Sequence, residues 1–451
     1  MLVSFSVENF MSYKDRQTFS MIAGKQTRHG NHILEVKGKR LLKGSFFFGA
    51  NAAGKSNLFS AIRFAKNIVM NGLRKNVLTN KHFRIDKEYA NKPGVFQFDI
   101  FSNGHFYSYG FAISYINAIV EEEWLYQCDS TEIVIFERSI ENGKSIITTD
   151  FHFSDKENRQ KFDIFSDNVP DDKLFLSEIA ERKLIEQDDF VAYKDVKSWI
   201  TNLLILTPHS RYLNKTGMLS DEKKAESLVD LLRDFDTGIE SITLKRENME
   251  NVLDFLPREV KETLIQEIEE SFNDTDVEKR AREIGISIDG SLFRFEKEGN
   301  QIFASQLMMN HGNNDDPFKL ADESDGTQRL FDLIPIYQAG KQSRVIFIDE
   351  LDRSFHTKLV IKYIEQFYQT TSGMESQLIA SVHDSNVMDL SLLRQDEIWF
   401  VERQPDHSSK IYSLNRFQAR FDKKVAKDYL LGRYGAIPCF SQLDVLEMGE
   451  E

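Results

Sequence analysis

A glycine-rich segment near the N-terminus carries the residues best suited to phosphate chemistry. Residues 49–56 read Gly-Ala-Asn-Ala-Ala-Gly-Lys-Ser, which matches the pattern G-x-x-x-x-G-K-[ST] in full. The segment follows the apolar run 46–48 and precedes a helical pattern, which is the context that a phosphate-binding loop requires. Glycines let backbone N–H groups surround phosphate oxygens, and the helix N-terminus adds positive potential. The candidate nucleotide-binding residues are Gly49, Asn51, Ala52, Ala53, Gly54, Lys55, Ser56 and Asn57.

Two side chains of this segment have distinct predicted roles. The ammonium group of Lys55 would reach the β- and γ-phosphates of ATP, and the hydroxyl group of Ser56 would bind Mg²⁺. The alternative is a chance glycine-rich turn before a helix, which the flanking strand and helix patterns disfavour. The segment therefore predicts ATP and Mg²⁺ as ligands.

Two adjacent acids follow a short apolar run much later in the chain. Residues 345–348 read Val-Ile-Phe-Ile, which is typical of a buried parallel strand, and Asp349 and Glu350 come directly after it. Ligands bind at the carboxyl ends of the strands in open α/β sheets. We therefore expect Asp349 to support Mg²⁺ and Glu350 to polarise the attacking water. A strand that simply enters solvent through acidic residues is the alternative.

A polar segment upstream of these acids predicts a second anion site. Residues 324–329 read Ser-Asp-Gly-Thr-Gln-Arg and precede an apolar helix, so backbone N–H groups would point outward at the helix start. One phosphate loop does not need this second site, whereas a composite site completed by a neighbouring subunit does. An ordinary helix cap by Ser324 or Asp325 is the alternative. The candidate residues are Ser324, Asp325, Gly326, Thr327 and Gln328.

A histidine at the end of another apolar run completes the predicted site. His383 follows residues 378–382, Leu-Ile-Ala-Ser-Val, and its imidazole could contact the γ-phosphate and detect its loss. A purely structural histidine is the alternative. Its position in the series of motifs favours the catalytic interpretation.

The elements that would position these residues form an α/β pattern. Residues 95–136 alternate apolar and polar positions around an Asn103-Gly104 turn and predict a β-meander. Segments 186–206, 221–235 and 258–284 have helical spacing, and residues 326–401 alternate between helix and strand as a parallel sheet does. We expect four segments: a first lobe over residues 1–180, a mostly helical insert over 181–284, a second lobe over 285–401 and a C-terminal subdomain over 402–451.

Composition narrows the class of protein. The chain has 451 residues, 41% hydrophobic and 28% charged, so a large core is available and global disorder is excluded. A net charge of −14 argues against uniform affinity for nucleic acid. The N-terminal region is basic, which is compatible with two interpretations, a DNA-binding face or a solvated surface. The two cysteines give no disulfide framework and indicate a reducing cytoplasm. The sequence predicts neither a signal peptide nor a membrane helix.

The order of these motifs resembles the ABC-type ATPases of the SMC/RecF class. In this resemblance residues 49–56 correspond to Walker A, 324–328 to the signature, 345–350 to Walker B, His383 to the switch histidine, and Asp352 to the D-loop. The implied fold is an α/β P-loop NTPase of ABC type, with a β-rich first lobe and a mostly helical insert. ATP would be sandwiched between two subunits, as a homodimer that could build larger homo-oligomers. A Q-loop glutamine would be Gln97 or Gln127.

A narrower resemblance covers nearly the whole chain. Residues 323–329 and 429–438 resemble the AAA-labelled ATP-binding proteins of bacterial abortive-infection and anti-phage operons, a set that includes the ATPase subunit of the two-gene PARIS system. The related OLD nucleases carry a C-terminal Toprim domain, for which the about 50 residues after Val401 are expected to be too few.

This resemblance implies an ATP-driven switch that holds or releases a separate toxic effector, typically a Toprim nuclease, in response to a phage-encoded trigger. The alternative is a DNA-repair ATPase of the RecF/SMC type that clamps DNA. Residues 402–451 would form a C-terminal subdomain in which the 429–438 cluster either caps the core or docks a partner.

Overall fold

The fold is taken from a computed structural model that describes residues 1–182, 188–208, 210, 222–273, 283–288, 291–313, 315–334, 336–337, 342–417 and 424–437. The chain forms two compact units. The first unit comprises Met1–Pro208, Gly340–Asp352 and Tyr363–Glu451, and the second comprises His209–Ala339 and Arg353–Lys362. Among the described residues, none of the helices has both the length and the apolar character that a membrane span requires.

The first unit contains a seven-stranded antiparallel sheet. Apolar residues alternate along its strands and pack into the main core, so one face of the sheet is buried. The predicted turn at Asn103-Gly104 is confirmed, because Ser102 pairs with His105 and both turn residues have positive φ. The strands, in spatial order, are β10 (Lys144–Thr148), β9 (Glu132–Glu141), β8 (Ile119–Cys128), β7 (His105–Ser114), β6 (Gly94–Ser102), β1 (Leu2–Glu8) and β2 (Gln17–Ser20). A separate hairpin joins β3 (Ile33–Val36) to β4 (Lys39–Leu42).

A six-stranded sheet in the same unit carries the candidate site. Its inner strands are short, apolar and buried, and they pair in parallel, which aligns their carboxyl ends along one edge. Only the last pair is antiparallel. The strands, in spatial order, are β11 (Leu204–Leu206), β17 (Val345–Ile348), β18 (Gln377–Ser381), β5 (Gly44–Phe48), β19 (Ile398–Arg403) and β20 (Ser409–Ser413).

Helices of the first unit pack beside these sheets. The longest, α1 (Lys55–Asn71), buries one apolar face in the main core and ends at Gly72, which has φ 71°. The others are α2 (Lys75–Leu78), α3 (Lys156–Ser166), α4 (Phe175–Ala180), α5 (Val191–Thr201) and α11 (Val425–Leu430). Helix α10 (Thr357–Thr370) begins in the second unit and ends in the first.

The second unit has its own sheet and its own small core. Apolar residues of two helices pack on apolar residues of two strands, including Met249, Phe272, Phe293 and Phe295. The strands are β12 (Ser241–Asn248), β15 (Gln301–Asn310), β14 (Ser291–Glu298) and β13 (Glu283–Ile288), with β16 (Phe318–Lys319) on β15. The helices are α6 (Glu222–Asp234), α7 (Met249–Val252), α8 (Arg258–Phe272) and α9 (Asp325–Leu333).

This organisation differs from the predicted helical insert over 181–284. Residues 204–206 form a strand rather than the end of a helix, because they add to the edge of the parallel sheet beside β17. Residues 241–248 form the edge strand β12, in which Lys245 and Arg246 are exposed. The part of the predicted helical segment 258–284 that follows Asn273 lies largely outside the described residues, and β13 begins at Glu283.

Candidate active site

The phosphate loop connects β5 to α1, and two of its glycines are required by close contacts. Gly49 has φ 156°, and a Cβ there would lie 2.2 Å from the Val401 carbonyl oxygen. Gly54 has φ 113°, and a Cβ there would lie 2.1 Å from Ser409 Oγ. A side chain at either position would displace the strand or the hairpin behind the loop, so the sequence pattern has a steric cause. Asn51 and Ala52 are exposed on the outer side of the loop, and Ala53 is buried.

Residues from two distant parts of the chain hold the phosphate loop from behind. Tyr13 Oη donates to the Gly54 carbonyl at 3.0 Å, and Asn57 Nδ2 donates to Ser12 Oγ at 2.7 Å. Ser409 Oγ lies 2.7 Å from Ser12 Oγ and donates to the Ala53 carbonyl oxygen of the loop at 2.6 Å. Sequence reasoning missed Ser409, because no local pattern marks a serine that acts on a loop so far away in the chain.

The ammonium group of Lys55 lies inside the loop. Its Nζ donates to the carbonyl oxygens of Gly49 at 2.7 Å and Ala50 at 3.3 Å, and the residue is buried. Burial lowers the pKa of Lys55, and the acids at the end of β17 oppose that shift. A buried cation between backbone carbonyls and carboxylates suits an anionic ligand that brings several negative charges.

The carboxyl end of β17 places Asp349 and Glu350 beside β18. Asp349 is buried, and its Oδ1 accepts a 2.6 Å hydrogen bond from Ser381 Oγ. Glu350 has φ 54°, which is the left-handed region that few non-glycine residues adopt. Its Oε1 lies 3.6 Å from His383 Nε2. The structure therefore brings together the two predicted acids and the predicted histidine.

Asp352 links the end of β17 to the segment that carries the histidine. Its Oδ2 accepts backbone hydrogen bonds from His383 and Asp384, both at 2.8 Å. The negative charge of Asp352 also acts on Lys55, as those of the two preceding acids do. The predicted D-loop residue thus belongs to the same cluster as the predicted switch histidine.

The predicted signature lies in the second unit, at the start of α9. Ser324 Oγ accepts from Thr327 N–H at 3.2 Å and caps the helix, and both Ser324 and Asp325 are exposed. Gln328 Nε2 donates to the Glu323 carbonyl at 2.9 Å. A Cβ on Gly326 would lie 3.0 Å from the carbonyl oxygen of a neighbouring loop residue. The alternative interpretation, a helix cap by Ser324, is therefore confirmed, and the start of the helix is exposed.

The two glutamines considered for a Q-loop lie in the antiparallel sheet. Gln97 Nε2 donates to Asp99 at 2.9 Å, and Gln127 Nε2 donates to Asp129 at 3.0 Å. Neither side chain has a described contact with the phosphate loop. Strand β11 lies beside the end of β17, where the Asp349 N–H donates to the Leu206 carbonyl at 2.9 Å.

The C-terminal segment closes one side of the phosphate loop. Ala436 accepts a 2.9 Å hydrogen bond from Ala50 N–H, and its own N–H donates to Glu402 Oε1 at 3.1 Å. Tyr429 Oη also donates to the Ala436 carbonyl, at 3.0 Å. A cleft of about 960 Å³ runs along this segment and is lined by the loop and His383. Of the predicted 429–438 cluster, Pro438 lies outside the described residues.

The donors at the carboxyl edge fit a magnesium ion. Mg²⁺ prefers oxygen ligands and is usually held by one or two protein groups together with phosphate oxygens. The Ser56 side chain is exposed at the start of α1, and Asp349 offers a carboxylate. The described residues contain no group of three or more His, Cys, Asp or Glu side chains that would hold a metal without a phosphate ligand.

The fold and the cluster around Lys55 define a P-loop ATPase domain. A protein-family model described as "AAA domain, putative AbiEii toxin, Type IV TA system" matches residues 45–389, and the chain belongs to this family. No curated protein matches the chain.

Two solved structures of SMC heads are similar to the chain. One is described as the SMC head bound to the C-terminal winged-helix domain of ScpA, with 14% identity and TM-score 0.36, covering 91% of this chain and 97% of that one. The other is the SMC head domain from Thermotoga maritima, with 12% identity and TM-score 0.35, covering 91% and 98%.

Proposed function

We propose that this protein is an ATP-hydrolysing switch. The observation that supports the proposal best is the convergence of Lys55, Asp349, Glu350 and His383 at one edge of a parallel sheet. A buried cation, two carboxylates and an imidazole beside a helix N-terminus supply the groups that phosphoryl transfer to water requires. Family membership points in the same direction.

Each residue has a defined task in this reaction. Lys55 binds the β- and γ-phosphates when ATP displaces its ammonium group from the loop carbonyls. Glu350 polarises the attacking water. His383, whose Nε2 lies 3.6 Å from Glu350 Oε1, contacts the γ-phosphate. Ser56 and Asp349 would hold Mg²⁺, which neutralises developing charge on the phosphate oxygens when it is bound.

The active form is proposed to be a homodimer with composite sites. Ser324 and Gly326 of one copy would complete the γ-phosphate site of the other, which is consistent with an exposed helix start at α9. Association would then depend on ATP, and hydrolysis would separate the subunits. Larger homo-oligomers can be built on this dimer.

The switch is proposed to control a separate toxic effector. The family takes its description from a toxin–antitoxin system, and the sequence resembles ATPases of abortive-infection operons. The effector would be held in one nucleotide state and released in the other, after a phage-encoded trigger. A Toprim nuclease is the effector class that this resemblance predicts.

The first test is ATP turnover by the purified chain, with Lys55→Ala as the inactive reference. Phosphate release that needs Mg²⁺ and Lys55 supports the proposal, and no release by the wild-type protein contradicts it. Turnover that rises with DNA and falls with salt would instead favour the DNA-clamping ATPase. Co-purification with the product of a neighbouring gene would support control of an effector.

A further inference from the structure

One hydroxyl group, that of Ser381, joins the two acids of the candidate site. Its Oγ donates to Asp349 Oδ1 at 2.6 Å and accepts from the Glu350 backbone N–H at 2.7 Å. The Ser381 carbonyl accepts from Leu351 N–H at 2.9 Å. Ser381 is fully buried, so water cannot replace these contacts. A single residue of β18 therefore holds three successive residues at the end of β17.

The conformation of Glu350 makes the contact to its N–H important. Glu350 has φ 54°, and a non-glycine residue stays in this region only where its surroundings hold it there. The Ser381 hydroxyl supplies such a contact on one side of the Glu350 peptide, and the Ser381 carbonyl supplies another at the next residue. In this conformation the Glu350 carboxylate lies 3.6 Å from His383.

We propose that Ser381 is a positioning residue for ATP hydrolysis. Its hydroxyl fixes the orientation of the Asp349 carboxylate and holds Glu350 in the left-handed conformation that places its carboxylate beside His383. The role is indirect, because Ser381 acts through these acids. The inference rests on the proposed function, since it assigns Ser381 a part in that reaction.

The first experiment compares Ser381→Ala with a matched control, Ser45→Ala. Ser45 is equally buried on β5 of the same sheet, and its Oγ donates only a weak 3.1 Å contact to Met21 Sδ. We expect Ser381→Ala to lower kcat about 10- to 100-fold, which is the effect expected from the loss of one hydrogen bond to a charged group. The Kd for ATP should change less than about twofold. The control should keep its kcat. An unchanged kcat in Ser381→Ala overturns the inference.

A double-mutant cycle separates positioning from general structural damage. If Ser381 acts mainly through Glu350, Ser381→Ala should cost less than about threefold in kcat when Glu350→Gln is already present. A merely structural role would lower the turnover of both backgrounds by the same factor. Equal losses in the two backgrounds therefore overturn the role that Ser381 is assigned through Glu350.

A crystal structure of Ser381→Ala provides a test that does not depend on turnover. We expect the Glu350 backbone to leave the left-handed region once its N–H loses the hydroxyl acceptor. If the wild-type protein hydrolyses no ATP, the proposed function fails, but the backbone of Glu350 in this variant still decides whether Ser381 holds it. An unchanged φ at Glu350 overturns the positioning role.

Discussion

The backbone N–H of Ala50 donates a 2.9 Å hydrogen bond to the carbonyl oxygen of Ala436. The second residue of the phosphate loop is thus tied to the C-terminal segment. The Ala436 N–H donates to Glu402 Oε1 on β19 at 3.1 Å, so the segment is itself anchored. The shape of the nucleotide site therefore depends on a part of the chain that carries no phosphate-binding motif.

A glycine next to this contact gives the first prediction. Gly435 has φ 70°, and a Cβ there would lie 2.5 Å from Glu402 Oε1 and 2.7 Å from Tyr412 Oη. We expect Gly435→Ala to weaken ATP binding about tenfold, or about 1.4 kcal/mol, because the Glu402 carboxylate must move and the Ala436 N–H then loses its acceptor. Titration with labelled ATP measures the effect.

The matched control for this variant is Gly373→Ala. Gly373 has nearly the same conformation, with φ 73°, but a Cβ there meets nothing within 4 Å. Both variants carry the backbone strain of a left-handed alanine, about 1–2 kcal/mol. Equal ATP affinity in the two variants would show that the C-terminal segment does not shape the site.

Lys55→Ala should abolish ATP binding or hydrolysis. The β- and γ-phosphates would lose the buried ammonium group that the loop carbonyls and the nearby acids now surround. Phosphate release and nucleotide titration measure the loss, and the exposed Lys75→Ala serves as a control for removal of one charge. Near-normal turnover in Lys55→Ala would refute the assignment of the phosphate loop.

Glu350→Gln should retain ATP binding and nearly stop hydrolysis. The amide fills the same space, but it is a much poorer proton acceptor and cannot polarise water in the same way. The ATP-bound dimer should then accumulate, which light scattering with and without ATP can detect. The exposed Glu365→Gln is the control. A fall of less than about tenfold, or about 1.4 kcal/mol, would mean that another group activates the water.

Ser324→Arg should keep ATP binding but abolish turnover and ATP-driven association. Ser324 is exposed at the start of α9, where an arginine would obstruct a docking subunit while the phosphate loop stays intact. Turnover, nucleotide titration and light scattering measure the three properties. Full turnover in this variant would reduce the segment to a helix cap.

Mixing two inactive variants tests whether the site is composite. A dimer of one Ser324→Arg and one Lys55→Ala subunit contains one site with both lesions and one site with neither. Up to about half of the wild-type turnover per mixed dimer should return if the two sites act independently. Strict coupling between the sites would suppress this recovery, so association is measured alongside turnover. No recovery together with normal association would show such coupling.

The sequence predicts the parts of the site that depend on neighbouring residues. The phosphate loop needs two glycines, a lysine and a following helix, and all of these are adjacent in the chain. The acids after β17 are equally visible, because a buried parallel strand reads as an apolar run that ends at Asp349. The predicted β-meander rests on alternation around one Asn-Gly turn, which the structure confirms.

The parts that could not be predicted depend on tertiary contacts. Ser381 resembles any strand serine until β18 pairs beside β17 and its hydroxyl meets Asp349. Strand β11 has only three residues and follows directly after a helix, so its sheet pairing overrides the helical pattern around it. Ser409 and Ala436 become part of the site only because β19 lies next to β5.

The contact of Ser409 with Ala53 has a consequence for synthesis of the protein. The two residues are 356 positions apart, although they are 2.6 Å apart in space. A ribosome that adds about 5–20 residues per second would deliver Ser409 roughly 20–70 seconds after the loop. The nascent loop would therefore spend this interval without its supporting hydroxyl. The complete support of the phosphate loop would arise only after Ser409 has been added, so chains that terminate before this residue would lack the contact.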